Sequence, residues 1–276
     1  MSKKVLVPLA NGFEEIEFVS IVDTLRRAQI EVLIAGVSDE GGASGASGAK
    51  SSGASSASGF KTNSAGECGA GASAKDSANG ASVDGGAGRS YTGAHGIAIS
   101  ADTMLDSLDS SALAGFDGVA LAGGWQGMLN LKASQKLREI LREFKAEGKL
   151  VSAICASPIV LDAAGVLGGK FACYPSCEKF AYEDTSADSS VGSGKSASDT
   201  GKNPSDKNTE KPLNGAYQPK ASVVREGNLI TAAGPATGVL FALEIIDYLL
   251  GQAQSQSIAS QMLIPYLNHS AEILRN

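Results

Sequence analysis

Short apolar runs alternate with amphipathic stretches along most of this chain, and this alternation constrains its fold more than any other feature. Four runs are typical of buried β-strands: KVLVPL, EVLIAGV, FDGVALAGG and KLVSAIC. Three segments have the 3.6-residue period of a helix: EEIEFVSIVDTLRRAQ, QKLREILREFKAE and TGVLFALEIIDYLLG. Repeated β-α-β order predicts an α/β protein whose mostly parallel sheet is covered by helices on both faces.

The first of these helices shows its pattern most clearly. Ile16, Val19, Val22 and Leu25 recur at helical spacing, which predicts that they share the apolar face. Acidic residues open the helix and arginines close it, as the helix dipole favours. Further along, GIAIS predicts a strand, and SVVREGNLITAAG predicts a hairpin that turns at Glu226-Gly227-Asn228.

Two segments have a composition that cannot form a core. Residues 38–90 are mostly Ser, Gly and Ala, and residues 185–212 are rich in Ser, Asp, Lys and Thr. Such sequences bury too little apolar surface to offset the loss of chain entropy, so we predict two flexible, low-complexity surface insertions. Roughly 195 residues remain, and they suffice for a single domain within 1–276.

Charge and hydropathy exclude several kinds of function. The chain has a net charge of −6 and no basic cluster, which argues against a nucleic-acid site or an anionic membrane surface. Its most hydrophobic stretches are interrupted by acidic residues or proline, so none is predicted to span a membrane. The N-terminal apolar run is too short for a signal peptide, and a cytoplasmic location is expected.

The cysteines and histidines do not form a metal-binding pattern. The four cysteines are Cys68, Cys155, Cys173 and Cys177, and no pair has C-x-x-C spacing. Only two histidines accompany them, so a closed zinc site with four ligands is not expected. We predict no metal, and thiols that are reduced rather than bridged.

Cys155 is the strongest candidate for a catalytic residue. It lies where the strand KLVSAIC meets the helix SPIVLDAAG, and Pro158 suits the first turn of that helix. A thiol beside a helix N-terminus is expected to have a lowered pKa, and a strand-to-helix turn is the position of a nucleophile elbow. The alternative, a small cysteine buried in the core, is equally compatible with this position.

Other candidate groups follow the neighbouring strands. The amides of Gly123 and Gly124, together with that of Ala156, have the placement of an oxyanion hole, although a plain glycine turn has the same sequence. Glu14, Glu15 and Glu17 open the first helix, and spacing alone does not decide which of them points inward. Because strand ends of a parallel sheet meet at one edge, these groups are expected to converge.

Four segments resemble the ThiJ/PfpI superfamily, and most closely its DJ-1 branch. They occur in the family's order, and the resemblance covers nearly all of the chain outside the two insertions. The segments are LVPLANGFEEIEFVSIVDTLRRAQIEVLIAGV, GVALAGGWQGMLNL, SAICASPIVLDAAGVLGGK and LITAAGPATGVLFALEIID.

This resemblance implies a flavodoxin-like three-layer sandwich and a homodimer. It assigns the nucleophile to Cys155 and the acid that holds it to Glu17, the last residue of the Glu-Glu-x-Glu motif. It assigns the oxyanion hole to the amides of Gly124 and Ala156, with Gly123 completing the glycine pair. The implied activity needs no cofactor and is either conversion of methylglyoxal to lactate, as in a glyoxalase III, or deglycation of early glyoxal adducts.

The chain departs from some family members at three positions. Tyr174 stands where some members place a histidine near the cysteine, and His95 stands where some carry an arginine near the pocket or dimer interface. Ala156 stands where protease-like members have a histidine, which argues against peptidase chemistry, because that chemistry needs a Cys–His pair.

Two further readings remain open beside the enzyme. A redox-responsive or chaperone-like protein would have Cys155 oxidised rather than turned over. A structural dimer would leave the same cysteine inert. An ionised thiol serves the first two functions equally, so the sequence does not separate them.

Overall fold

The apolar runs form strands and the amphipathic segments form helices in the computed structural model, which describes residues 2–38, 89–181, 211–264 and 273–275. The strands are β1 (Lys4–Leu9), β2 (Glu31–Gly36), β3 (Ser90–Thr92), β4 (Ala98–Ser100), β5 (Thr103–Met104), β6 (Gly118–Leu121), β7 (Leu150–Ile154), β8 (Lys170–Phe171), β9 (Ala216–Tyr217), β10 (Val223–Glu226), β11 (Leu229–Ala232) and β12 (Ile273–Arg275). The helices are α1 (Glu15–Arg27), α2 (Ser110–Ala114), α3 (Trp125–Ala133), α4 (Gln135–Ala146), α5 (Pro158–Ala163), α6 (Gly238–Leu250) and α7 (Gln252–Gln261).

Eight of these strands form one sheet in the order β12-β10-β11-β7-β6-β1-β2-β5. All neighbouring pairs are parallel except β10 and β11, which form the hairpin that the sequence predicts, with Glu226 opposite Leu229. The mostly parallel sheet is therefore confirmed. It places the carboxyl ends of β1, β6 and β7 side by side at one edge, because these strands pair in register.

Strand β1 shows how one apolar run fills two cores. Leu6 packs into the core on one face of the sheet, whereas Val5, Val7 and Leu9 pack into the core on the other. Alternate side chains of a strand point to opposite faces, so a strand covered on both sides must be apolar at every position. This is why β1, β6 and β7 are continuous apolar runs rather than alternating ones.

The helices cover both faces of the sheet, as predicted. On one face α4 buries its predicted stripe, whose members are Leu137, Ile140, Leu141 and Phe144. On the other face α1 packs against α6, through side chains that include Phe18, Ile21 and Phe241. The sheet is thus the middle of three layers.

Only two of the four residues predicted to form the apolar face of α1 are buried. Val22 and Leu25 are buried, but Ile16 and Val19 are 60% and 49% exposed. The buried face instead includes Phe18 and Ile21, together with the acidic Glu17. The helix is therefore rotated relative to the predicted stripe, which places Glu17 on the buried face and leaves two aliphatic side chains at the surface.

The segment GIAIS forms a strand, β4, but not in the main sheet. It pairs only with β3, in an antiparallel hairpin whose register places Tyr91 opposite Ile99. Most of 38–90 and 185–212 lies outside the described residues, so the two insertions stay predictions; of the first, Ser90 already belongs to β3.

We predict that Ile21→Ala will destabilise the protein far more than the matched change Ile16→Ala. Ile21 is fully buried, and its truncation should lower the free energy of unfolding by about 2–5 kcal/mol. Ile16→Ala removes the same atoms from an exposed position and should cost less than about 1 kcal/mol. Denaturant unfolding of both variants measures the difference, and equal losses would contradict the observed orientation of α1.

Candidate active site

The turn between β7 and α5 holds Cys155 in an unusual conformation. Its backbone φ is +65°, a left-handed value that non-glycine residues rarely adopt. Two hydrogen bonds fix it: the Cys155 N–H donates to the Ala232 carbonyl at 2.9 Å, and its own carbonyl accepts the Tyr174 N–H at 2.8 Å. A strained residue held from both sides on a strand-to-helix turn is the geometry of a nucleophile elbow.

Ser157 ties this elbow to the neighbouring strand. Its fully buried hydroxyl donates to the Ala122 carbonyl at 2.6 Å, just beyond the end of β6. Its N–H donates to the Ile154 carbonyl at 3.0 Å, which closes the turn around Cys155. The end of β6 and the elbow are thereby held together.

Glu17 is the acid that points inward. Its side chain is fully buried, and its Oε2 accepts the Gly123 N–H at 2.7 Å. The other oxygen, Oε1, is also buried and has no hydrogen bond of ordinary geometry. The Cys155 thiol interacts with this carboxyl. Glu17 is therefore a buried carboxyl group that is anchored to the Gly123 backbone through one oxygen and interacts with the Cys155 thiol.

Two glycines allow this close approach. A Cβ on Gly123 would lie 2.6 Å from Cys155 Cβ and 2.7 Å from Glu17 Oε2, so no larger residue fits between the acid and the thiol. Gly124 has φ +88°, and a Cβ there would collide with the carbonyl of Gly12. The backbone amides of Gly124 and Ala156 interact with the Cys155 sulfur and oppose the rise of its pKa. All five predicted site residues therefore lie together.

The electrostatics of the pair differ from the prediction. Burial raises the pKa of Glu17 to about 7, with the Cys155 and Gly123 hydrogen bonds opposing the rise and the charge of Glu14 adding to it. Burial also raises the pKa of the Cys155 thiol, as do the charge of Glu17 and the hydrogen bond to it. The expected lowering by a helix dipole is wrong because α5 has only six residues, and the thiol is desolvated beside an acid.

Burial is the main cause of both shifts, and the charge of Glu17 adds to the shift of the Cys155 thiol. When Glu17 is ionised, its charge opposes a thiolate, and when Glu17 is protonated that opposition disappears. The Gly124 and Ala156 amides then favour charge on the sulfur. The arrangement can therefore hold a thiolate beside a protonated acid.

The other two acids of the Glu-Glu-x-Glu motif have structural roles. Glu14 caps α1 by accepting the Glu17 N–H at 2.7 Å. Glu15 accepts the His95 N–H at 2.6 Å, and its Oε2 lies 2.8 Å from His95 Nδ1. His95, for which the sequence left open a pocket residue or a loop histidine, lies in the turn between β3 and β4 and fastens it to α1.

These three side chains also form a group with metal-ligand chemistry. The ligand atoms of Glu14, Glu15 and His95 lie within 4.8 Å of one another, the only such group found among the described residues. Their oxygens already accept N–H groups, and the set excludes Cys155. We therefore assign the group to fastening the hairpin, and the prediction of no metal stays a prediction.

Sequence reasoning missed three groups that hold Cys155 in place. They are the Ser157 hydroxyl, the Ala232 carbonyl and the Tyr174 amide. Tyr174 was singled out for its side chain, which is half-exposed, whereas its backbone N–H makes the contact to Cys155. Backbone contacts cannot be recognised from residue types. Of the three groups, only the hydroxyl of Ser157, two residues after Cys155, could have been suggested by the sequence.

Comparison with known proteins decides the family. Residues 73–248 match the model of the DJ-1/PfpI family. The chain belongs to the DJ-1/PfpI family. Protein dj-1beta of Drosophila melanogaster is 30% identical over 267 residues, which cover 96% of this chain and 100% of that protein. Its crystal structure has a TM-score of 0.61 at 28% identity, over 95% of this chain and 98% of that one.

Two further relatives show the range of proteins that this chain is similar to. The structure titled Toxoplasma gondii DJ-1, oxidized, has a TM-score of 0.59 at 26% identity and covers 95% of this chain and 98% of that one. An isonitrile hydratase of Pseudomonas putida is 28% identical over 53% of this chain and 51% of that protein, so enzymes occur among the relatives. The flavodoxin-like fold and the DJ-1 branch are thus confirmed, and the relatives support a cysteine-based function. No described helix is long and apolar enough to cross a membrane.

We predict that Glu17 makes the folded protein less stable as the pH rises. Its pKa rises on folding from 4.5 to about 7, so the native state binds the extra proton in this window and the free energy of unfolding falls with pH. Relative to Glu17→Gln, the wild type should lose up to about 3 kcal/mol between pH 4.5 and 7, and no more above it.

The matched control for this prediction is Glu15→Gln. Hydrogen bonds from His95 outweigh burial and lower the pKa of Glu15, so its contribution has the opposite sign and is lost as the pH falls. Denaturant unfolding separates the two, because the Glu17 contribution changes between pH 4.5 and 7, whereas the Glu15 contribution is constant there and is lost only below pH 4.5. Parallel curves for wild type and Glu17→Gln would show that the Glu17 carboxyl is not shifted by burial.

Proposed function

We propose that this protein is a cofactor-independent cysteine enzyme that acts on reactive dicarbonyls, converting methylglyoxal to lactate or removing early dicarbonyl adducts. One observation carries the proposal. A nucleophile elbow presents Cys155 to a buried acid whose pKa is about 7 and to two amides aimed at the sulfur. This combination supplies a nucleophile, a proton carrier and an oxyanion site in one place.

The reaction begins with the thiolate form of the pair. Cys155 attacks the aldehyde carbon of methylglyoxal, and a C–S bond forms as the carbonyl electrons move to oxygen. The Gly124 and Ala156 amides, which interact with the sulfur in the free protein, are placed to bind that oxyanion. Glu17 donates its proton to this oxyanion, so the product is a neutral hemithioacetal and Glu17 is left as the carboxylate.

Glu17 carries the proton through the remaining steps. It removes the proton from the former aldehyde carbon to give an enediol and returns it to the adjacent carbon, so the aldehyde carbon is oxidised and the ketone carbon reduced. The resulting thioester is hydrolysed by water to lactate and the free thiol. A carboxyl with a pKa of about 7 suits both directions of transfer near neutral pH.

The surroundings of the thiol argue against peptidase chemistry. Ala156 follows the nucleophile directly, and His95 is paired with Glu15 rather than with Cys155. The group beside the thiol is a carboxyl, which serves proton transfer between carbons but not the Cys–His exchange of a thiol protease.

We predict that lactate production from methylglyoxal, without added glutathione, depends on Cys155 and Glu17. Cys155→Ser should lower kcat/KM by at least about a thousandfold, because the nucleophile is lost. Glu17→Gln should lower it by about a hundredfold or more, because the amide cannot carry the proton. A chromatographic lactate assay measures both variants.

Cys177→Ala serves as the control, since it removes a thiol that the reaction does not use, and its turnover should stay within about twofold of wild type. Full activity in Glu17→Gln would refute the role of the acid. Absence of turnover in wild type would overturn the enzymatic proposal.

A second candidate function is oxidant sensing through Cys155. The Toxoplasma relative carries the word oxidized in its title, and the amides at the sulfur would equally stabilise a sulfinate. Peroxide treatment followed by trypsin tests this, because Cys155 lies alone in the peptide 150–170. A gain of two oxygens in that peptide without dicarbonyl turnover would favour the sensor.

We also propose that the protein is a homodimer formed through α1. Ile16 and Val19 are exposed on this helix, and Ile97 of the adjoining hairpin turn is 58% exposed. Val19 and Ile99 line one side of a cavity of about 230 Å³, so the helix and the hairpin share one apolar surface. The resemblance to the DJ-1 branch makes a second copy of the chain its expected occupant.

We predict that Val19→Asp will give a monomer. A charge in the centre of an apolar self-interface costs several kcal/mol, because it is desolvated twice in a symmetric dimer. Leu250→Asp is the control, since Leu250 is exposed at the end of α6 and outside this surface. Analytical ultracentrifugation distinguishes the outcomes, and a wild type that sediments as a monomer would refute the dimer.

A further inference from the structure

One peptide group joins the nucleophile elbow to the buried acid. It is the group between Ala122 and Gly123, which directly follows β6. Its carbonyl, on Ala122, accepts the Ser157 hydroxyl at 2.6 Å. Its N–H, on Gly123, donates to Glu17 Oε2 at 2.7 Å. The two hydrogen bonds therefore lie at opposite ends of the same amide.

This chain of hydrogen bonds is shielded from water. The side chains of Ser157 and Glu17 are both fully buried. A Cβ on Gly123 would lie 2.7 Å from Glu17 Oε2, so the bare amide is packed directly against the carboxyl group. Hydrogen bonds in such a low-dielectric environment are strong, and each one polarises the next.

The order of the two bonds gives the Ser157 hydroxyl an influence on the acid. An amide whose carbonyl accepts a hydrogen bond is a stronger donor at its N–H, by about 10–30%, because electron density moves from nitrogen towards oxygen. The hydroxyl therefore strengthens the bond from Gly123 to Glu17. Donation to a carboxyl oxygen favours the charged form of the group, so the effect is on the proton affinity of Glu17.

The same serine also holds the thiol side of the site. Its N–H donates to the Ile154 carbonyl at 3.0 Å and closes the turn around Cys155. One residue thus fixes the backbone that carries the nucleophile and the peptide group that binds the acid. Displacement of Ser157 would alter both partners of the Cys155–Glu17 pair.

We propose that Ser157 is a positioning residue, whose hydroxyl sets the strength and direction of the Gly123 hydrogen bond to Glu17. It acts through a peptide group and not on the reacting atoms. Its consequence for turnover rests on the proposed dicarbonyl function, whereas its consequence for the proton affinity of Glu17 does not.

Ser152 provides a matched comparison. It is a fully buried serine of β7, and its hydroxyl donates to the Val119 carbonyl at 2.8 Å. That carbonyl shares its peptide group with the N–H of Ala120, which lies within β6 and not at Glu17. Ser152→Ala therefore removes a buried hydroxyl bond of the same kind without interrupting the path to the acid.

The other titratable groups around Glu17 are unchanged in a Ser157 variant. Those that interact with it are Cys155 of the elbow, Glu14 at the start of α1 and Cys177 of the loop after β8. Because Ser157→Ala removes no charge, a change in the titration of Glu17 would report on the peptide group.

The first measurement is the titration of Glu17 by NMR. The full-length protein is labelled with 13C at the glutamate side-chain carboxyl carbons, and the Glu17 signal is identified by its loss in Glu17→Gln. We expect Ser157→Ala to raise the pKa of Glu17, which is about 7 in the wild type, by about half a pH unit. Ser152→Ala should leave it within about 0.1 of the wild type.

The second measurement is the pH dependence of dicarbonyl turnover. The reactive pair carries one negative charge, which is acquired as the pH rises through the pKa of about 7. The ascending limb of kcat/KM against pH should therefore move up by about half a pH unit in Ser157→Ala and stay in place in Ser152→Ala. A loss of packing alone would lower the rate without moving this limb.

An unchanged pKa of Glu17 in Ser157→Ala, or equal shifts in the two serine variants, would overturn the proposal. Absence of turnover in the wild type would refute the proposed function but leave the NMR titration valid, so the two failures are distinguishable. If Ser157→Ala does not fold, Ser157→Cys takes its place, because a thiol is a weaker donor of similar size. It should raise the pKa of Glu17 by a smaller amount, and no rise would equally overturn the proposal.

Discussion

The close approach of the Glu17 carboxyl to the Cys155 thiol, across Gly123, is the contact on which the rest of the site depends. It requires a helix that carries an acid on its buried face, an elbow that turns the thiol back over the sheet, and a glycine between them. Burying an ionisable group in this way raises its pKa and costs stability at neutral pH.

The sheet provides the rigidity that this contact needs. Strands β1, β6 and β7 are adjacent and parallel, so the first helix, the glycine pair and the elbow all begin at one edge. Backbone hydrogen bonds from Ala232 and Tyr174 and the Ser157 hydroxyl hold the left-handed conformation of Cys155. A strained residue of this kind costs about 1–3 kcal/mol, which the surrounding strands offset.

Helix α1 has side chains in three different environments. Phe18 and Ile21 anchor it in the core, Glu17 faces the nucleophile, and Ile16 and Val19 form the exposed surface that we assign to a second copy of the chain. At its first turn Glu15 holds the β3–β4 hairpin. Any rotation of the helix would therefore alter the site and the proposed interface together, which links assembly to chemistry.

The sequence alone determined the α/β class, the succession of main strands and helices along the chain, the hairpin at Gly227 and the α4 stripe, because each follows from local periodicity and turn chemistry. It also placed Cys155 and the glycine pair at strand ends. Its spacing did not decide which acid points inward, and its predictions were wrong for half of the buried face of α1 and for the direction of the thiol pKa shift. Those depend on how α1 is rotated against the sheet and on which groups are desolvated together, and only the packed tertiary structure fixes both.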